Sequence, residues 1–161
     1  MGSAFTTSGT TKLNTLKNEV TIQYNGKEIQ VVALWDTGAT NTCISQKVVQ
    51  DLSLIATGKA TMTTPSSQAD ERSTYLVDIV LPNNVKVNDH VVIDSDIDNQ
   101  NIGMLIGMDI ITMGDFAVSN FNNQTIFTFR IPSECKTDYV QEIRISKLVG
   151  QKHGKGKRKR K

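Results

Sequence analysis

The stretch "VVALWDTGATNTCIS", residues 31–45, carries an apolar run directly into a carboxylate. The run ends in Trp35, the only tryptophan of the chain, and Asp36 follows without a polar transition. An ionised carboxylate is costly to bury without partners, so this position requires a structural or a chemical reason. The simplest interpretation is a turn-capping aspartate, because Asp-x-Gly turns are common after strands. Gly38 then lets the backbone turn sharply without a Cβ clash.

The sequence around this stretch predicts an all-β domain. Val, Ile and Thr recur in short runs, which favours strands. Asn25-Gly26 separates two β-like runs and is a strong hairpin signal. Strands are predicted over 58–64 and 74–81, on either side of the polar segment "PSSQADERS", and a last hairpin turns at Asn122-Asn123. Many short strands with closely spaced turn signals indicate a barrel or a sandwich.

Two other segments have helical features. "QKVVQDL", residues 46–52, follows Ser45, which is a suitable N-cap for a short helix. "DYVQEIRISKLVG", residues 138–150, is ambiguous, because its apolar residues fit a loose helical stripe while "EIRIS" alternates like a strand.

Composition divides the chain into four parts. We predict a flexible N-terminal segment at 1–18, one folded domain at 19–132, a C-terminal extension at 133–150 and a basic, disordered tail at 151–161. The tail holds 7 of the 18 Lys and Arg residues and no acidic residue. The remaining 11 basic and 16 acidic residues give the rest of the chain a net charge of −5. Such a tail is either simply solvated, a targeting signal, or a contact for a polyanion such as nucleic acid.

Cysteine content and hydropathy indicate a cytoplasmic setting. The chain has no apolar run of about 18 residues, so no transmembrane helix is expected. The N-terminus lacks the apolar core of a signal peptide. Cys43 and Cys135 do not form a disulfide framework. His90 and His153 are far apart in sequence, and no Cys/His spacing fits zinc, so neither a metal nor a cofactor is predicted.

Two motifs of this chain resemble those of the retropepsin-like aspartic proteases. "LWDTGAT", residues 34–40, is similar to the Asp-Thr-Gly-Ala signature of that family. "MLIGMDII", residues 104–111, resembles its later motif of apolar residues followed by glycine and a short helix. The resemblance extends from Val20 to Pro132. It implies a closed β-barrel with a flap hairpin and one or two short helices, acting as a two-fold dimer.

The resemblance implies an aspartic endopeptidase that acts on peptides or proteins. Asp36, Thr37 and Gly38 would form the catalytic loop, in which Thr37 would hydrogen-bond to the backbone. Enzymes of this class use two carboxylates that share one proton. The chain has one Asp-Thr-Gly only, so the second aspartate is expected to be Asp36 of a second chain across a two-fold axis.

The resemblance also suggests residues around the catalytic loop. Substrate contacts are predicted for two residues of the loop and four of the flap: Ala39, Thr40, Pro65, Ser66, Ser67 and Gln68. Structural support is predicted for Trp35, Ile106, Gly107 and Asp109. Trp35 would line either the core or a subsite wall, and Asp109 would cap the helix "DIITMG". The flap tip lacks the glycines of viral members of the family.

Three functions compete. The first is the endopeptidase described above. The second is a catalytically weak peptide-binding module of the same fold, which holds extended peptides by β-augmentation. The third is a targeting or nucleic-acid-binding role of residues 151–161. The intact Asp36-Thr37-Gly38 favours the first, because a module without catalysis need not keep it.

Overall fold

The computed structural model describes residues 2–64 and 67–156, and these ranges are mostly β-structure. The helices are α1 (Gln46–Leu52), α2 (Met108–Ile111) and α3 (Tyr139–Gly156). The strands are β1 (Ser3–Ser8), β2 (Lys17–Tyr24), β3 (Lys27–Trp35), β4 (Cys43–Ser45), β5 (Gly58–Thr64), β6 (Ser67–Leu81), β7 (Val85–Ser95), β8 (Met104–Ile106), β9 (Asp115–Ser119) and β10 (Ile126–Ile131).

Six strands form a closed barrel in the order β2, β3, β8, β4, β7 and β6. The barrel closes because β2 also pairs with β6, where Ile22 lies opposite Ile79. The pairs β3–β8 and β4–β7 are parallel, and the other pairs are antiparallel. The closed β-barrel predicted from the sequence is therefore confirmed.

The long hairpin β5–β6 lies where the flap was predicted. Its ladder runs from Gly58 opposite Thr74 to Thr64 opposite Ser67. Strand β6 therefore begins at Ser67 rather than at residue 74, because the polar segment continues the pairing with β5. Pro65 and Ser66 lie outside the described residues.

Alternating apolar residues build the core. In β2, Val20 and Ile22 point inward while their neighbours are more exposed, as the two-residue period of a strand requires. Trp35 is 5% exposed and stacks on Phe116, with ring centroids 5.0 Å apart. Phe5, Phe127 and Phe129 surround the pair. Trp35 therefore lies in the core.

Short-range signals predicted the turns and the first helix correctly. Asn25 and Gly26 join β2 to β3 with φ angles of 47° and 75°, in the left-handed region that this dipeptide favours. The hairpin β9–β10 is also present. Ser45 caps α1, because its hydroxyl oxygen accepts a hydrogen bond from the Val48 amide at 3.3 Å.

The N-terminal segment is not flexible throughout, which corrects the prediction for residues 1–18. Strand β1 pairs antiparallel with β10, with Ser3 opposite Ile131, in a three-stranded sheet of order β1-β10-β9. Phe5 anchors the strand because its side chain is only 4% exposed among the core aromatic rings. Strand β2 also begins at Lys17, before the predicted domain boundary at 19.

The C-terminal extension is helical, which resolves its ambiguity. Asp138 precedes α3 and caps it, because its carboxylate accepts a hydrogen bond from the Gln141 amide at 3.2 Å. The helix continues to Gly156, so residue 151 does not begin a disordered tail as predicted. Residues 157–161 lie outside the described part of the chain. None of the helices in the described ranges has the length and hydropathy needed to span a membrane.

Candidate active site

Asp36 directly follows β3, and the backbone on both sides of it is fixed. Trp35 lies opposite Ile106 in the parallel strand β8. The Asp36 amide donates a hydrogen bond to the Ile106 carbonyl at 2.9 Å, and the Trp35 amide donates one to the Leu16 carbonyl at 2.9 Å. The partly buried carboxylate of Asp36 thus lies at the end of a strand that belongs to the barrel wall.

The turn after Asp36 is held by backbone amides. The Gly38 amide donates to Asp36 Oδ1 at 2.8 Å, and the Ala39 amide donates to the Asp36 carbonyl at 3.2 Å. A Cβ on Gly38 would lie 3.1 Å from Asp36 Oδ1, so a side chain there would crowd the carboxylate. Thr37 is exposed, and the contact predicted for its hydroxyl stays a prediction.

Helix α2 supports the loop from below through its first amides. The Met108 amide donates to the Ala39 carbonyl at 2.8 Å, and the Asp109 amide donates to the Thr40 carbonyl at 3.1 Å. Amides of a first helical turn have no partner within their own helix. The loop that carries Asp36 therefore caps α2, and α2 fixes the loop.

Gly107 is where the two segments touch. A Cβ on Gly107 would lie 2.6 Å from the carbonyl carbon and 2.7 Å from the carbonyl oxygen of Asn41. Real Cβ atoms are not found this close to backbone, so only glycine allows the present approach.

Thr42 links the loop to α2 by a buried side chain. Its hydroxyl donates to Asp109 Oδ1 at 2.7 Å and accepts from the Gly107 amide at 3.1 Å, while its own amide donates to Asp109 Oδ2 at 2.8 Å. His90 Nε2 lies 3.1 Å from the same Oδ2. Sequence reasoning missed Thr42 and His90, because no local pattern connects them with residue 109.

Asp109 does not cap α2, which corrects the prediction. The N-cap is Gly107, and Asp109 stands in the first turn, from which its carboxylate reaches Thr42. Burial alone would raise the pKa of this carboxyl, but the hydrogen bonds from His90 and Thr42 outweigh that effect and lower the pKa. Asp109 is therefore held in its ionised form.

Asp115 is also held as a carboxylate. Hydrogen bonds from the Ser133 hydroxyl, the Glu134 amide and the Arg130 guanidinium keep its pKa well below its ordinary value. The contact with Ser133 Oγ measures 2.5 Å and that with Arg130 Nε 3.0 Å. Like Asp109, it is not poised to share a proton with Asp36.

The two cysteines have different environments. Cys43 is buried, and burial, followed by the nearby charges of Asp109 and Asp94, raises the pKa of its thiol to about 11. A thiol is nucleophilic only as its thiolate, so Cys43 is not suited to covalent catalysis. Cys135 is exposed, with Sγ 3.2 Å from Arg130 Nη2.

An open groove of about 520 Å³ begins at the loop of Asp36. It extends over α2 and β9 to the segment that precedes α3. Its walls include Thr37, Met108, Phe116, Cys135 and Thr137. The C-terminal extension thus lies beside the predicted catalytic loop, which the sequence had not indicated.

The structure brings most of the predicted site residues together. Asp36, Thr37, Gly38, Ala39 and Thr40 form one loop, packed on Ile106, Gly107 and Asp109 with Trp35 behind it. Ala39 is partly buried and Thr40 is exposed. Ser67 and Gln68 begin β6 near the end of the flap hairpin. The roles of these residues in substrate binding stay predictions.

Comparison with known proteins identifies the fold. A family model described as "Aspartyl protease" matches residues 19–110, more than half of the chain. A search of curated protein sequences gave no significant match. The chain is similar in structure to a retropepsin-like aspartic protease from Rickettsia conorii, with a TM-score of 0.53 and 13% identity over 81% of this chain and 96% of that one. This likeness confirms the predicted retropepsin-like fold.

Two other solved structures are less similar. The foamy viral protease-reverse transcriptase in complex with an RNA/DNA hybrid is 24% identical over 58% of this chain and 11% of that one, with a TM-score of 0.42. The retroviral protease-like domain of Ddi1 from Leishmania major is 14% identical over 66% of this chain and 82% of that one, with a TM-score of 0.39. At these TM-scores neither likeness adds to the fold assignment.

Proposed function

Because the chain belongs to the aspartyl protease family, we propose that it is an endopeptidase whose active site combines two copies of Asp36, one from each chain of a homodimer. The observation that carries the proposal is the position of Asp36. Its carboxylate follows a barrel strand, on a loop fixed by Ile106, Gly38 and the amides of α2. Such fixation is what a catalytic group needs, because small displacements of reacting groups cost large factors in rate.

The proposed chemistry uses one proton shared by two carboxylates. Like charges about 3 Å apart cannot both ionise, so one Asp36 is charged and the other protonated. The charged carboxylate takes a proton from a water molecule, whose oxygen attacks the carbonyl carbon of the substrate. The protonated carboxyl gives its proton to the carbonyl oxygen. Collapse of the tetrahedral intermediate then breaks the C–N bond: the carboxyl that took the proton from water gives it to the amine nitrogen, and the other carboxylate takes a hydroxyl proton of the intermediate, which restores the pair.

A second chain is the best source of the second carboxylate. Asp109 and Asp115, the nearest candidates by sequence motif, are held ionised by His90, Thr42, Ser133 and Arg130. A carboxyl whose pKa is lowered in this way is a poor proton donor at mildly acidic pH. A two-fold axis through the Asp36 loops would bring together two equivalent carboxylates.

Asp36→Asn tests the proposal, because asparagine has nearly the same shape as aspartate but lacks its carboxyl group. Wild type and variant are incubated with a peptide library near pH 5, beside Asp98→Asn, which changes an exposed aspartate in the segment between β7 and β8. We expect Asp36→Asn to lose activity by more than about a hundredfold, and Asp98→Asn to cleave like wild type. Nearly normal cleavage by Asp36→Asn would refute the assignment.

The pH profile gives a second test. A shared-proton pair works only when singly protonated, so the rate should rise and fall around an optimum below neutral pH, and its two limbs report the pKa values of the pair. A profile that is flat from acidic to basic pH would contradict the mechanism.

We further propose that residues 151–161 contact a polyanion and take no part in peptide cleavage. Their seven basic residues favour binding to a phosphate backbone. Removing them should leave cleavage of a short neutral peptide unchanged and weaken salt-sensitive binding to nucleic acid. Loss of cleavage in the truncated protein would contradict this part.

A further inference from the structure

Helix α3 presents apolar side chains that the described part of the chain does not cover. Each of them is between 49% and 61% exposed, whereas the apolar core residues of the protein are at most 7% exposed. They occupy the first three turns of the helix: Tyr139, Val140, Ile143, Ile145, Leu148 and Val149. We call residues 139–149 the arm.

The apolar residues surround the arm instead of forming one stripe. Successive residues of an α-helix are turned by about 100°, which puts Tyr139, Val140 and Ile145 on three different sides. Polar residues alternate with them, and apolar side chains on several sides of one helix favour burial on more than one side. A helix lying on a membrane surface would instead need one apolar and one charged face. The pattern favours a protein partner over a lipid surface.

The arm is also a weak helix by itself. An isolated helix of this length is marginally stable in water, because helix stability in proteins comes mainly from tertiary packing. Within the described residues, the arm's own helix cap at Asp138 is a local contact and adds no packing. A stable arm therefore requires a surface outside its own barrel.

The segment that precedes the arm is fixed at the edge of the predicted active site. Asp115 binds the Ser133 hydroxyl and the Glu134 amide, which ties the segment before α3 to β9. Cys135 and Thr137 then line the same groove as Thr37 of the catalytic loop. A second chain that brings its Asp36 to the first approaches this edge, where the arm begins.

We propose that the arm packs against a second copy of this chain and holds the dimer in which the two Asp36 loops meet. The proposal rests on the proposed function, because the site needs a second aspartate. In a two-fold dimer each chain gives one arm and receives one, so the contact is made twice. The tails beyond the arm carry seven positive charges each and repel one another, so the arm and not the tail holds the chains together.

Sedimentation velocity over a concentration series tests the arm. The test variant is Ile143→Glu/Leu148→Glu, which puts two charges on the arm. The matched control is Ile55→Glu/Phe121→Glu, which puts two charges on apolar side chains that are 70% and 77% exposed elsewhere. A chain ending at residue 150 removes the tail alone, and a chain ending at residue 138 removes the arm and tail. Circular dichroism establishes that each variant keeps its β-structure.

We expect a wild-type dimer whose dissociation constant rises about ten-thousandfold in the arm variant, roughly tenfold for each of the four side chains that the two arms bury. The chain ending at 138 should be monomeric, whereas the control and the chain ending at 150 should dimerise like wild type or more tightly. An arm variant that dimerises like wild type overturns the proposal. So does a wild type that stays monomeric, whether or not its arm binds vesicles of anionic phospholipid.

The same samples distinguish a failure of this proposal from a failure of the proposed endopeptidase function. A dimer that depends on the arm but cleaves no peptide would contradict the endopeptidase and support the arm. Cleavage that depends on Asp36 in a dimer insensitive to the arm substitutions would do the reverse.

Discussion

Replacing Thr42 by valine removes the buried hydroxyl that joins the Asp36 loop to helix α2. Valine has nearly the same shape, so the change tests hydrogen bonding and not packing. The Gly107 amide loses its acceptor, and Asp109 loses the hydroxyl donor at 2.7 Å while it keeps the Thr42 amide and His90.

The structure sets the size of the effect. A buried amide left without an acceptor costs about 1–3 kcal/mol, and a hydrogen bond to a charged group contributes about 1.5–3 kcal/mol. The extra apolar surface of valine returns roughly 1 kcal/mol. We therefore expect the free energy of unfolding to fall by about 2–4 kcal/mol. For a chain of this size that lowers the Tm by roughly 5–15 °C.

Urea unfolding measures the loss, with Thr6→Val as the control. Thr6 makes its side-chain hydrogen bond to Thr128 at the exposed surface, so its replacement should change stability by less than about 0.5 kcal/mol. Peptide cleavage by Thr42→Val should fall as well, because the Asp36 loop loses part of its support. A Thr42→Val protein as stable as wild type would refute the view that this hydroxyl fixes the loop.

Three further predictions follow from single contacts. Gly107→Ala should destabilise the fold by about 1–3 kcal/mol in urea unfolding, because its Cβ meets backbone atoms. Gly58→Ala is the control and should not destabilise the fold, because its Cβ meets only a side-chain hydroxyl at 3.3 Å. Equal stabilities of the two variants would contradict the close approach at Gly107. Folding lowers the pKa of Asp109 from its ordinary value of 3.8, so this carboxylate stabilises the folded protein above pH 3.8. That stabilisation is lost as the pH falls through the pKa of Asp109 in the folded protein. The stability difference between wild type and Asp109→Asn should therefore shrink below pH 3.8, and a constant difference would be evidence against the ionised carboxylate. At pH 8 a thiol reagent should modify Cys135 and spare Cys43 until the protein unfolds, so that rapid labelling of both would disprove the burial of Cys43.

The sequence predicted those parts of the fold that local signals determine. Asn25-Gly26 sets its hairpin because two neighbouring residues must both adopt positive φ, and few dipeptides do so easily. Ser45 caps α1 through a contact only three residues away. The close approach at Gly107 was also predictable, because the motif around it contains the small residue that the approach needs.

Contacts between distant parts of the chain could not be predicted in this way. Strand β1 looked flexible because Ser and Thr dominate it, but its partner β10 lies more than 110 residues further on. Thr42 and Asp109 are 67 residues apart, and His90 joins them only because β7 runs beside β4 and β6 in the closed barrel. Their meeting is a property of the barrel and not of any segment.

The residues of the site were therefore easier to predict than the contacts that hold them in place. Asp36 and its turn follow from one motif, whereas the support by Thr42 and the position of the extension beside Thr37 depend on long-range pairing. The Gly38 and Ala39 amides hold the turn, whereas the contact predicted for the exposed Thr37 hydroxyl stays a prediction.

Mixing wild-type chains with an equal amount of Asp36→Asn chains tests most directly whether two Asp36 side chains form one site. After subunit exchange has been verified, random pairing leaves about one quarter of the dimers with two intact aspartates. Mixing with Asp98→Asn chains serves as the control and should not reduce activity. The account predicts that activity per total protein falls to about one quarter of that of wild type in the Asp36→Asn mixture. A fall to one half only would mean that each chain holds a complete site, and would contradict it.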